Sequence, residues 1–163
     1  MHLRALALAA SLLLLLGAAT RASAGEAKGT LTHKDRTVAL KYAYLVKGPD
    51  AVDPSTKIRR LILSQIDLGA KLEACKTMSC TDGSVTEGMT VDLDAGPRLN
   101  YWMAIKDQMV QHSDTAKPEV LKATADTPER LAGKLTLDGT ASGGPKVDVE
   151  FDAPLVKQFD AAN

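Results

Sequence analysis

The chain has 163 residues, with 20 Lys+Arg against 20 Asp+Glu and a formal net charge of zero. A balanced, mixed-charge chain lacks the basic footprint of a nucleic-acid binder. Six aromatic residues, one of them Trp102, leave the core to Val, Leu, Ile, Met and Ala and few rings for stacking sugars or bases.

The first segment reads as a secretory leader. Arg4 gives a short positive start, Ala5 to Ala19 is apolar and uncharged, and Ala22-Ser23-Ala24 is a small-x-small cleavage pattern before Gly25. The apolar run, about 15 residues, falls short of the roughly 20 that span a bilayer. Residues 1–24 are therefore expected to be a signal peptide and 25–163 a single soluble domain. Loss of Arg4 and Arg21 with the leader would leave that domain slightly acidic.

Period-two alternation then dominates. Lys28 to His33 predicts a first strand and Lys34-Asp35 a turn. Val38, Leu40, Tyr42, Tyr44 and Val46 are expected on one face of a long second strand. Lys47 to Thr56, with two Pro and one Gly, predicts a loop. Lys57 to Gln65 predicts a third strand, whose continuous Leu61-Ile62-Leu63 centre suggests cover on both faces. Asp67 to Cys75 places Leu68 and Leu72 at i,i+4 and predicts two helical turns, with Gly69 counting against helix. A turn-rich cysteine loop follows.

Met89, Val91 and Leu93, then Leu99, Tyr101, Met103 and Ile105, flank Ala95-Gly96-Pro97-Arg98 and predict a hairpin. Pro118 to Asp126 fits an edge strand or a helical turn, and Thr127-Pro128-Glu129 resembles a helix start. Leu131, Gly133, Leu135 and Leu137 predict another strand. A Gly-rich loop follows, and Val147, Val149 and Phe151 predict the last strand.

About seven half-wet strands with short links predict an all-β, mainly antiparallel fold. Two packed sheets, a β-sandwich with one or two short helical turns, would bury the apolar faces. A small β-barrel is the alternative.

Gly29-Thr30-Leu31 near the start, Leu131-Ala132-Gly133-Lys134-Leu135, and Val147-Asp148-Val149-Glu150-Phe151-Asp152-Ala153 form a layout that resembles small secreted or periplasmic bacterial β-rich proteins. The resemblance covers most of residues 25–163. It implies a bacterial source and an exported β-rich domain, and it carries no active-site residues across.

Cys75 and Cys80 have four residues between them, not the two of a thioredoxin-type pair. Only His33 and His112 accompany them after the leader, with no paired spacing, so a closed zinc site lacks ligands. A structural disulfide is expected for an exported chain. Copper capture by reduced Cys75, Met78 and Cys80 is the alternative, because soft sulfur suits Cu(I).

His33 and His112 are expected to be solvent-exposed or locally bonded; His112 with Asp114 is the one candidate acid/base pair. There is no G-x-S-x-G elbow, H-E-x-x-H or P-loop. Asp92 with Asp94, and Asp148, Glu150 and Asp152, are expected on solvated strand faces, with Lys134 a suitable cross-strand partner. Calcium by these acids is the alternative.

Trp102 is predicted to point away from the core alongside Asn100 and Lys106. Cover by the 107–130 segment is the expectation, since large exposed apolar patches are unusual. Left open, that face is the candidate binding surface.

The expected function is that of an exported, periplasmic or extracellular, non-enzymatic binding protein without a cofactor. Its partner would be an envelope protein, a polymer or a small ligand. Metal handling and a hydrolase with an unfamiliar site are the alternatives.

Overall fold

The computed structural model describes residues 23–105 and 112–163. The expected signal peptide up to residue 22, Lys106, and residues 107–111 of the 107–130 segment lie outside the described residues. The elements run β1 (Gly25–His33), β2 (Arg36–Pro49), β3 (Lys57–Ser64), α1 (Gly69–Ala74), α2 (Met78–Asp82), β4 (Glu87–Leu93), β5 (Leu99–Ile105), β6 (His112–Ala116), β7 (Leu121–Thr127), β8 (Arg130–Asp138) and β9 (Lys146–Gln158). Short 3₁₀ turns precede β7 and β9.

All nine strands belong to one sheet, in the order β6-β5-β4-β3-β2-β1-β9-β8-β7. The two-sheet sandwich of about seven strands is therefore replaced by a single curled half-barrel, nearer to the barrel alternative. One apolar cluster draws Leu31, Leu40, Leu61, Val91, Tyr101, Ala116, Leu135 and Phe151, with Leu121 of β7 packed against it. A sheet whose one face buries residues from edge to edge has to curl. Curling hides an apolar face as effectively as a second sheet does, and alternation alone does not choose between them.

The ladder is antiparallel, with one exception. Beyond the start of β1, β2 and β9 meet directly, and Leu45, Val46 and Lys47 pair in parallel with Leu155, Lys157 and Gln158. Opposite Lys41 the β1 register slips between Glu26 and Gly29. The face assignment of β2 breaks there. Val38 and Leu40 point inward, but Tyr44 and Val46 point outward, while Ala43 and Leu45 take the inner positions.

The outer face carries a second apolar cluster of Tyr44, Val46, Ile58, Ile62, Leu68, Leu72, Met78 and Phe159. Helices α1 and α2 cover it, so β3 is buried on both faces, as its Leu61-Ile62-Leu63 run suggests. The Tyr44 hydroxyl accepts the Leu68 N–H at 2.7 Å and donates to Asp67 at 2.6 Å, which fixes the entry to α1. The C-terminal tail holds α2 from the other side: Met78 and Ser79 N–H donate to the carbonyls of Ala161 and Ala162. Thr127-Pro128-Glu129 starts no helix; it lies at the tight turn joining β7 to β8, where Thr127 pairs with Arg130.

Candidate functional site

Arg60 organises the outer face. It sits in the apolar run of β3, covered on both sides, and is 4% exposed. A guanidinium there needs partners for its donors. Asp92, its cross-strand neighbour on β4, accepts two of them: Nε to Oδ1 at 2.5 Å and Nη2 to Oδ2 at 2.8 Å. Nη1 donates upward into α2, to Asp82 Oδ1 at 2.7 Å, Thr81 Oγ1 at 3.0 Å and the Met78 carbonyl at 3.3 Å. Asp92 is 3% exposed. Its assignment to a solvated face is thus corrected, because α2 roofs that part of the sheet. Asp94, by contrast, is partly exposed and binds Arg59.

Burial would lower the Arg60 pKa, but the hydrogen bonds and charge of Asp92, with those of Asp82, raise it. Burial also pushes the Asp92 and Asp82 carboxyls up, against the pull of Arg60.

Trp102 stands beside this cluster. It pairs with Thr90 across β4–β5, one step along the same face from the pairing of Asp92 with Asn100. The Arg60 guanidinium carbon lies 5.7 Å from the centroid of its ring. Trp102 remains 37% exposed and lines a pocket of about 190 Å³ with Asp82, Val85, Thr90, Met103 and Ala104. Thr90 is 3% exposed, and its Oγ1, shielded from solvent, has no hydrogen-bond partner among the described residues. Buried hydroxyls are ordinarily paired. Asn100, expected on the Trp102 face, is on it and half-buried; Lys106 lies outside the described residues.

Cys75 and Cys80 have their sulfurs 2.07 Å apart, forming a disulfide that ties the end of α1 to α2. Met78 packs inside the outer cluster against Gly48 and Phe159. The three sulfurs therefore do not present two thiolates to a metal in this state. Among the described residues no group of three His, Cys, Asp or Glu side chains converges on a metal position.

The histidines come closer together than their spacing suggests. His33 and His112 have ring centroids 6.3 Å apart, and the Tyr101 ring lies 6.1 Å from His112. The Gly139–Pro145 turn closes over them. His33 Nε2 lies 3.1 Å from the Gly143 carbonyl oxygen. A Cβ on Gly144 would come within 2.9 Å of His112 Nε2, which is buried without a partner among the described residues. Asp114 pairs across the strand with Tyr101. The apolar cavity beneath Tyr101, about 10 Å³, is lined by neither histidine nor Asp114. On the outer face of the other half, Lys134 does bind Asp148, at 2.8 Å, and Arg130 binds Asp152.

Arg60, Thr90 and Asp82 were not singled out by the sequence. The available signal was Arg60 itself, a charge inside a strand with both faces covered. Compared with protein-family models, curated proteins and solved structures, the chain matches none. Among the described residues no helix is long and apolar enough to cross a membrane.

Proposed function

We propose that this is an exported, non-enzymatic binding protein whose ligand site is the Trp102 pocket on the outer sheet face. One observation carries it: the single tryptophan, 37% exposed, lines an open pocket with Asp82, Val85 and Ala104. A concavity walled by an aromatic ring, apolar groups and one carboxylate is the usual form of a small-ligand site. Rigid support comes from the Arg60 bonds to Asp92 and Asp82 and from the disulfide beneath α2. The leader-like sequence of residues 1–24 and the disulfide both suit an oxidising compartment outside the cytoplasm.

Because Trp102 is the sole tryptophan, its emission reports on the pocket directly. A screen of small metabolites by fluorescence should find saturable quenching or a shift that Trp102→Ala abolishes in a calorimetric titration of the same compound. Calorimetric binding unchanged by Trp102→Ala would move the site elsewhere. For export, the N-terminus of the protein recovered outside the cytoplasm should begin at Gly25; an intact Met1 there would refute cleavage.

A further inference from the structure

The two ends of the Cys75–Cys80 bridge have different surroundings. Cys75 is 2% exposed and belongs to the outer apolar cluster. Its N–H donates to the Lys71 carbonyl at 3.2 Å. Its own carbonyl accepts from Lys157, whose ammonium also binds the Glu73 carbonyl at 2.6 Å. Ser84 Oγ lies 3.7 Å from the Cys75 sulfur. Cys80, in the middle of α2, is exposed. An incoming thiolate has to reach the sulfur that it attacks, so access decides which end of a disulfide reacts. The approach to Cys75 is closed and the approach to Cys80 is open.

Attack at Cys80 makes Cys75 the leaving group. A new S–S bond forms between the external thiol and Cys80 Sγ, the Cys75–Cys80 bond breaks, and its electron pair departs on Cys75 Sγ. One disulfide is exchanged for another, and the proton of the external thiol passes to Cys75 or to solvent. Ser84, whose hydroxyl otherwise donates to the Cys80 carbonyl at 3.2 Å, can turn its proton to the departing sulfur. The Lys157 ammonium on the Cys75 carbonyl places a cation on the same residue. Cys75 is held by α1 and Lys157, and the Cα atoms of the bridged pair are 5.5 Å apart. Its thiolate therefore stays within reach of Cys80 and can expel the external thiol again.

We propose that Cys80 is a site of reversible modification by small monothiols of the glutathione class, with Cys75 as the leaving and resolving sulfur. The bridge is then an exchangeable bond with a defined entry point as well as a staple. Cys80 is followed directly by Thr81 and Asp82, which bind Arg60 beside Trp102, so the modified form should also carry an altered Trp102 emission. This inference does not depend on a ligand in the Trp102 pocket.

The test uses the full oxidised chain and an excess of reduced glutathione. After brief exposure the reaction is stopped with acid and free thiols are blocked with N-ethylmaleimide. Trypsin cuts after Lys76, so Cys75 and Cys80 fall on separate peptides for mass spectrometry. Glutathione is expected on the Cys80 peptide and maleimide on the Cys75 peptide, in about tenfold excess over the reverse arrangement. In urea, where burial is lost, the two arrangements should become comparable. The single variants check the same asymmetry without the bridge. With oxidised glutathione, folded Cys75→Ser should form its mixed disulfide about tenfold faster than folded Cys80→Ser. Glutathione mainly on Cys75, or shared equally between the two in the folded protein, overturns the proposal. So does a folded protein that gains no adduct under conditions where its urea-unfolded form does.

Discussion

Arg60 is the side chain on which the outer face depends. Taking it away leaves Asp92 ionised and alone where only 3% of the residue is exposed. Arg60→Met should therefore cost about 3–5 kcal/mol in urea denaturation, the usual result of orphaning a buried charge. Replacing both partners with apolar residues, Arg60→Met with Asp92→Leu, should recover much of it. The pH dependence has a defined sign. Burial already raises the folded-state pKa of Asp92, so the folded protein binds a proton more readily there than the unfolded chain. The Asp92 contribution to stability therefore falls as pH rises from the ordinary carboxylate range through the raised folded value. Without Arg60 that rise is larger. The deficit of Arg60→Met should accordingly shrink as the solution is acidified, and a deficit that grows on acidification would contradict this account. Gly29 is a second such residue. A Cβ there would lie 2.1 Å from the Asp148 carbonyl oxygen and 2.5 Å from Val149 Cα, both backbone of β9. Gly29→Ala should destabilise by about 1–3 kcal/mol, as overpacking does.

Among the elements, α1 and α2 are too short to stand without support. The helical turns of α1 were legible from Leu68 and Leu72, whereas α2 was read as part of a turn-rich loop; the role of both as a roof was not legible, because nothing in their own sequence says which strand they cover. The disulfide joins them through a six-residue loop, Cys75 to Cys80. Reduction should lower stability by roughly 2 kcal/mol on the chain-entropy model. Because α2 carries Asp82 and Thr81, the bonds that hold Arg60 beside Trp102 should loosen as well, shifting Trp102 emission to the red. The β4–β5 hairpin was fully legible, since its inner residues alternate without interruption from Met89 to Ile105. The second strand was legible only to Leu40. Beyond it a register slip reverses the faces, and a one-residue slip leaves no trace in an apolar segment such as Tyr42 to Val46. Asp92 was misplaced for a related reason: an acid at an alternating position reads as wet until a distant helix is found above it. Gly29 and Gly133 proved to be points where another strand passes within Cβ reach.

For the whole molecule, closure is the property that strand patterning could not supply. Edge strands β6 and β7 are consecutive in the chain, so the short link between them crosses the open side of the half-barrel. Arg59 of β3 reaches over that opening, donating to Asp94 on one side and Asp126 of β7 on the other. Its carboxylate partners are partly exposed, so the bridge is expected to add only modestly to stability. Arg59→Ala should cost less than about 1 kcal/mol, an effect that added salt diminishes. The visible change should be local: faster amide exchange along β7, with β2 and β3 unaltered. Nothing in the spacing of Arg59 and Asp126 announces the pairing, since it exists only once the sheet has curled.

The position of β9 bears on how the chain is made. The last of the described strands in chain order is an interior one, lying between β1 and β8 and also against β2. Until it emerges, the earliest strands have no partner on that side and the curl cannot close. Folding then waits on contacts between distant ends of the chain, which form slowly. A polypeptide with this topology is expected to stay incompletely folded until β9 has been made. Removal of residues after Asp138 should accordingly yield a chain without protected amides anywhere in the sheet, rather than a shortened version of the same fold.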